Sequence, residues 1–478
     1  MRKILVALLV FGLVVAFSAP ASAVDIKVSG QYYVMGVFES NPSLATEAWR
    51  NTGMAATASG KASSAAWVAQ RLRLQPEFKI AEGLTLTTRF DALEKKWGDV
   101  SWGQAGVYTY DNTNRSVDRP VPVNGSLIAG DSIRTQENIE WERAYVDFNT
   151  AIGRFLVGYF DCICYGTIFL NTHVSRPGVE YMYPMGPWTF GAKWEHVAEG
   201  GSYGMGGAGA RLVYSEADLD IYSIMADYRW KTGSAGMQIQ YYHNSFNDYD
   251  RVAAAYIAKF YTFNPYVKAT FGPLYIEAEG WLGYGDWQDF NDPATVDVDL
   301  KAYALYANAK YTMGPFYVGA LFGYESGDDP NTLDKREGSV LAAQSLMLGQ
   351  AWDPFLYMFN DLINTWHGNW GTRGTQIGTF EDNCLLWKAY AGWNVTPKFR
   401  AEIGFGQAWA DETAVGVDDS YGSELDLYAE YKIYDQLSYY AGFGYWWVGD
   451  YFKGQQGTPA YGDTDNSYIL FHGIRLSF

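Results

Sequence analysis

Beyond residue 23, hydrophobic and polar residues alternate with a period of two along most of the chain. In "RLRLQPEFKI", Leu72, Leu74, Pro76, Phe78 and Ile80 fall on one face, and Arg71, Arg73, Gln75, Glu77 and Lys79 on the other. In "LTLTTRFDA", Leu84, Leu86, Phe90 and Ala92 oppose Thr85, Thr87, Arg89 and Asp91. "ELDLYAEYKIY" sets Leu425, Leu427, Ala429, Tyr431 and Ile433 against Glu424, Asp426, Tyr428, Glu430 and Lys432. Successive side chains of a strand point to opposite faces, so each run predicts a strand with one apolar and one polar side.

The connections separate a soluble sandwich from a membrane barrel. Tight turns are expected at 81–83, 150–153, 185–187, 233–236, 271–273, 313–315, 396–398 and 435–437. Long polar connections are expected at 39–65, 94–136, 160–175, 198–210, 245–252, 286–299, 326–382, 411–422 and 450–466. The two classes alternate strictly, as periplasmic turns and external loops do in a transmembrane antiparallel β-barrel. Tyr and Trp near strand ends, such as Tyr183, Trp188, Tyr311 and Trp447, match girdles at the two membrane interfaces. Eight tight turns join sixteen strands. One strand before them and one after give 18, with 16 as the alternative.

Composition agrees with an all-β membrane barrel. Tyr 38, Trp 18 and Gly 51 are abundant, and no second long apolar run follows residue 23. The first 23 residues, "MRKILVALLVFGLVVAFSAPASA", have the charged, apolar and small-residue order of a secretory signal peptide. Removing 1–23 leaves a single barrel domain, 24–478, with 33 Lys+Arg against 53 Asp+Glu and a net charge of −20. That balance disfavours nucleic acid as a partner. Cys162, Cys164 and Cys384 are too few for a disulfide framework and read as isolated thiols or one local bridge. "GGSYG" at 200–204 lies in a Gly-rich loop rather than on a strand–turn–helix elbow. No catalytic constellation or cofactor motif is found, so an enzyme is not expected. Asp286, Asp289, Asp292, Asp297 and Asp299, with Asp411, Glu412, Asp418 and Asp419, make the external loops acidic. They read as solvated charge. Loop-bound Ca²⁺, or divalent cations bridging to lipopolysaccharide, is the alternative.

"QRLRLQPEF", "IEWERAYVDF" followed by "GRFLVGY", the Ala-Ser-Ala cleavage site and the terminal Phe478 together resemble bacterial outer-membrane porins. The likeness is greatest to the homotrimeric porins of sulfate-reducing bacteria and spans the mature chain. It implies a Gram-negative outer-membrane channel for passive diffusion of small hydrophilic solutes and ions. It also implies a homotrimer, and a third external loop folded inward as a constriction. Here that loop is about 160–175, with Phe160, Asp161, Tyr165, Thr167, Asn171 and His173; Asp161 is its only carboxylate. Gly473, Leu476 and Phe478 match the terminal pattern by which such barrels address the barrel assembly machinery. A substrate-specific channel and an exporter of anionic polysaccharide stay open as alternatives.

In such porins a row of basic residues faces the constriction. Strand parity offers Arg71, Arg73, Lys79, Arg89 and Arg143, with Glu77, Asp91, Asp147 and Asp161 as acidic counterparts. The row either sets a transverse field or forms ordinary lumen ion pairs, Arg89 with Asp91 or Glu77. The loop 326–382 is too apolar for disorder. Leu356, Phe359, Leu362, Ile363 and Trp366 have helical spacing, and the expectation is a lid that narrows the vestibule.

Overall fold

The computed structural model describes residues 24–42, 44, 64–97, 109–110, 116–117, 139–162, 165–170, 174–199, 218–245, 255–339, 352–360, 383–453 and 464–478. Eighteen long strands form the wall. In chain order they are β1 (25–40), β2 (64–81), β3 (84–96), β4 (139–150), β5 (153–161), β6 (175–185), β7 (188–199), β8 (218–230) and β9 (233–244). They continue as β10 (256–271), β11 (274–290), β12 (298–313), β13 (316–325), β14 (384–396), β15 (399–409), β16 (420–432), β17 (437–448) and β18 (467–477). Each pairs antiparallel with the next, and β18 pairs with β1 from Gln31↔Ser477 to Ser40↔Tyr468, which closes the ring. Closure leaves no strand edge in lipid, where an unpaired backbone group would have no water to bond. The last residue belongs to this seam: Phe478 and Gly30 exchange backbone bonds of 2.8 and 3.0 Å.

The eighteen-strand expectation holds and the sixteen-strand alternative falls. Gly186, Gly272 and Gly314 each precede Pro in a two-residue turn with φ of about +60°, a conformation that a side chain would strain. One boundary is corrected. The turn expected at 233–236 is Lys231–Thr232, because Trp230 pairs with Gly233 and "GSAG" already belongs to β9. Strands also run further than polarity suggested: β11 extends to Phe290, and β16 starts at Ser420.

The outer face is apolar. Ile224, Leu305, Ile403 and Leu470 are 60%, 48%, 48% and 47% exposed at outward positions. Aromatic pairs mark both ends, Trp188–Tyr228 and Phe316–Trp393 at the short-turn end, Tyr241–Tyr261 and Phe443–Tyr468 at the long-loop end. An even-numbered, closed antiparallel barrel with an apolar outside and aromatic girdles is an outer-membrane barrel. Among the described residues no helix is long and apolar enough to cross a membrane. The buried cluster lies inside the barrel, where two inward-folded segments meet the wall.

Candidate functional site: the occluded lumen

The first inward segment leaves β5 after Asp161. Residues 165–170 reach β10, β11 and β12, five to seven strands further round the wall. Lys268 Nζ donates to the Gly166 carbonyl at 2.7 Å, and Thr167 donates from its N–H and hydroxyl to Glu279 at 2.8 and 2.6 Å. The Tyr165 ring stands edge-on to Tyr266 at 5.2 Å. Phe160 is 1% exposed at the root of the segment. These contacts lay residues 165–170 against β10 to β12, within the stretch where the porin resemblance implies a constriction loop. Asn171 and His173 lie outside the described residues, as does Cys164.

The second segment, 352–360, belongs to the long connection after β13, and it goes deeper than a lid at the mouth. Trp352, Phe355, Met358 and Phe359 are each at most 5% exposed within the lumen. The Glu424 carboxylate accepts the N–H groups of Tyr357 and Met358, each at 2.7 Å, and Asp426 accepts that of Leu356 at 3.4 Å. Lys388 Nζ donates to the Pro354 carbonyl at 2.9 Å and to Asp426 at 2.7 Å. The Phe355 ring lies 5.5 Å below the same ammonium. The Tyr357 hydroxyl is 3.0 Å from that of Ser467 on β18. Residues 352–360 are turns and bends, and Phe359 has a φ of +54°, so the helix expected from Leu356 and Phe359 is not formed there. Carboxylates and aromatic packing, rather than helical hydrogen bonds, satisfy this backbone. Leu362, Ile363 and Trp366 lie outside the described residues.

The two segments touch. Phe169 stacks on Tyr306 at 5.4 Å and meets Trp352 edge-on at 5.0 Å, while Tyr306 and Trp352 are 5.3 Å apart. Three rings thus clasp one segment to the other and both to β12. Burial holds the Tyr165 and Tyr357 phenols above their ordinary range, with Asp227 adding to it at Tyr165 and Glu39 at Tyr357, so both stay neutral.

The wall of β2 to β5 is a network of ion pairs. Arg73 forks onto Asp91 at 2.8 and 2.6 Å and also reaches Glu142 at 3.1 Å. Arg89 bonds Glu142, Arg71 faces Asp91 and Glu94 at 3.8 and 3.5 Å, and Arg143 binds Asp161 at 2.7 Å. Asp147 pairs with Arg154 at 2.5 Å. Glu77 accepts from Gln75, and Lys79 lies 3.8 Å from Asp25 at the short-turn end, away from the others. The structure therefore brings together Arg71, Arg73, Arg89, Arg143, Asp91 and Asp161. The partner expected for Arg89 is corrected: it is Glu142, not Asp91 or Glu77. Parity hid Glu142, because it should share a face with Ala144. Arg89 opposes Arg143 while Phe90 opposes Trp141, so Glu142 is the extra residue of a bulge. A bulge re-aims a side chain, and here it inserts a carboxylate between two arginines. A second register shift, between Gln70 and Leu72, brings Glu94 to Arg71. Sequence parity missed Glu94, Glu424, Asp426 and Lys388 as partners. Glu424 and Asp426 were visible as polar-face residues, but not as anchors of a segment some 70 residues earlier.

Cys162 and Cys384 are both buried, and burial with Glu195 nearby pushes the Cys162 thiol up to about 12. Among the described residues no three His, Cys, Asp or Glu side chains gather as a metal site would require. Phe471, Tyr440 and Ile469 pack with Tyr33, Met35 and Val37 on the inner face of the seam, against Leu356 and Tyr357.

No protein-family model matches the chain, and no curated protein matches it. Among solved structures it is similar to OpdQ of Pseudomonas aeruginosa, with 12% identity, a TM-score of 0.49, and 95% of this chain and 98% of that chain covered. It is similar to OccAB3 of Acinetobacter baumannii at 9% identity and a TM-score of 0.49, covering 95% of this chain and 100% of that one. It is also similar to OmpT, an outer membrane protein of Vibrio cholerae, in its trimer form, at 13% identity and a TM-score of 0.40, covering 96% and 100%.

Proposed function

We propose that this barrel is a water-filled channel through which small hydrophilic solutes and ions diffuse passively, with no reaction performed. One observation carries it: a closed barrel holds two interlocked segments inside its lumen, while the ion-paired wall of β2 to β5 keeps part-exposed charges. Side-chain exposure there is 21% for Arg71, 25% for Arg73 and 24% for Glu142. Solutes then pass between this wall and the clasped segments, sorted by size and by the local field of the paired charges.

Planar-bilayer recording tests the proposal. Wild-type protein should give stepwise conductance, and replacing 352–360 by a short Gly-Ser linker should raise the step. A folded barrel with no conductance overturns the channel. An unchanged step in the linker variant overturns the narrowing role of the segment.

The clasp of Phe169, Tyr306 and Trp352 favours a second reading, a substrate-specific channel, since a lumen so filled leaves little free section. Millimolar sugar or carboxylate blocks such a channel and leaves a general pore unaffected. In either reading residues 1–23 are removed on export. Gly473, Leu476 and Phe478 serve as the assembly address, and the working unit is a homotrimer. Native-gel mass before and after heating checks the last point.

A further inference from the structure

Toward the short-turn end from the clasp, the inner wall of β11 to β15 carries a second polar cluster, apart from the ion-paired wall of β2 to β5. Tyr306 joins it to the clasp: its ring stacks on Phe169, and its hydroxyl donates to Glu277 at 2.8 Å. Glu277 also accepts from the Tyr275 hydroxyl at 2.8 Å and from Asn308 Nδ2 at 3.2 Å, while Asn308 Oδ1 accepts from the Tyr390 hydroxyl at 2.9 Å. Tyr317 donates to Glu402 at 2.5 Å. Each phenol is thus tied to the wall at its tip. The rings can lie over the neighbouring strand because glycine stands there. A side chain at Gly319 would collide with the Tyr390 ring, and one at Gly392 with the Tyr317 ring.

Three features mark the cluster as a site for a ligand. Tyr317, Tyr390, Asn308 and Glu402 are half-buried, whereas the clasp rings beside them are at most 6% exposed. Tyr317 and Tyr390 meet at 6.3 Å and 65°, which makes an aromatic corner. The corner also has unused hydrogen-bonding capacity. Lys310 Nζ stands 5.5 Å from the Tyr317 ring centre and makes no ion pair among the described residues. Glu402 accepts the Tyr317 phenol on one oxygen, and its other oxygen accepts from no described residue.

The charges select the ligand. Glu277 and Glu402 repel an anion, and Lys310 repels a cation. What fits is an uncharged ring with an apolar C–H face to lie on an aromatic floor, and a rim of hydroxyls that both donate and accept. We propose that this corner is a saccharide subsite. Tyr390 is the floor and Tyr317 the side; Lys310 donates to a sugar hydroxyl, and Glu402 accepts from another. The proposal rests on the reading of the barrel as a substrate-specific channel and names the substrate class, a neutral sugar held next to the clasp.

The test records full-length wild type, Tyr390→Phe and Tyr390→Leu in planar bilayers, with maltotriose or glucuronate added. Binding of the same two probes in detergent is measured by titration calorimetry, and gel mobility before and after heating shows that each variant is a folded barrel. Maltotriose should interrupt the wild-type current, and glucuronate should bind more weakly. Tyr390→Phe keeps the ring and should stay close to wild type, while Tyr390→Leu should weaken maltotriose about tenfold, by both block and calorimetry. Equal maltotriose affinity in wild type and Tyr390→Leu overturns the site. Equal losses in the Phe and Leu variants overturn the stacking floor and make Tyr390 a hydrogen-bonded strut. Tighter binding of glucuronate than of maltotriose overturns the sugar assignment and leaves a substrate-specific channel standing. Normal conductance with neither block nor binding by either probe overturns the site together with the substrate-specific reading. Maltotriose binding that depends on the Tyr390 ring in a barrel without conductance supports the site and overturns the channel.

Discussion

Two walls of one lumen use the same chemistry for different ends. On β2 to β5, carboxylates meet arginines: Asp91, Glu142 and Asp161 neutralise Arg73, Arg89 and Arg143, and the network stays part-exposed. On β14 and β16, Glu424 and Asp426 are 0% and 3% exposed, and they accept the backbone N–H groups of Leu356, Tyr357 and Met358 beside Lys388. The first wall satisfies its charges across neighbouring strands and can face water. The second satisfies them through a segment brought in from a loop, and needs that segment to stay. A polar inner face is therefore no guide to where the open path lies. What decides it is whether the partner of each charge is another strand or an inserted chain.

The comparison breaks most clearly at Asp426. Asp426→Ala leaves the Lys388 ammonium, 9% exposed, without its anion. Removing one partner of a buried pair costs about 3–5 kcal/mol. Heat or denaturant unfolding should show that loss, and conductance should turn noisy and larger as 352–360 comes away. An equivalent removal on the other wall, Asp161→Ala opposite Arg143, should cost less: Arg143 keeps its bond to Ser175 of β6 at 2.9 Å, whereas the Pro354 carbonyl that Lys388 also reaches leaves with 352–360. Equal losses at the two positions would erase the distinction between the walls.

Phe169→Ala sharpens the comparison next. It removes a ring that is 6% exposed and touches both Tyr306 and Trp352. Phe→Ala in a packed core costs about 3–5 kcal/mol. This clasp joins two loop segments to each other and to Tyr306 of β12 without taking part in strand pairing, so the expected global loss is at or below the low end. The local effect should be larger: a disulfide designed between the two segments should form more slowly in the variant. Unaltered cross-linking would mean that the segments are held independently.

Alternation was enough to read the barrel, its strand number and the closing role of "SYILFHGIRLSF", because lipid outside and water inside impose period two on every strand. Leu470, Ile474 and Phe478 are exposed on the outside as alternation requires, and Ser467 is fully buried inside. Parity also placed Arg71, Arg73, Arg89 and Arg143 on one side. It failed where the period itself fails. Glu142 sits in a bulge, so its side chain leaves the face that counting assigns. The lumen segment 352–360 failed for a different reason. Its apolar residues at helical spacing record burial, but its backbone is held by Glu424 and Asp426, and nothing local in "WDPFLYMFN" names partners so far along the chain.

The smallest expected effect probes the open wall alone. Arg71→Ala with Arg73→Ala removes two cations whose anions, Asp91, Glu94 and Glu142, remain. The wall then carries excess negative charge at part-exposed positions, and the reversal potential in a salt gradient should move toward cation preference. Stability should fall by less than at Asp426: Arg89 still pairs with Glu142, and water reaches the vacated positions. The pairs with Glu94 and Glu142, part-exposed on both sides, contribute on the order of 1 kcal/mol, and the pairs with Asp91, buried beneath the two arginines, contribute more. A reversal potential that did not move would assign these arginines to holding β2, β3 and β4 in register. The ions would then pass along some other part of the wall, and the bulge at Glu142 would be a device for closing the barrel rather than for tuning its field.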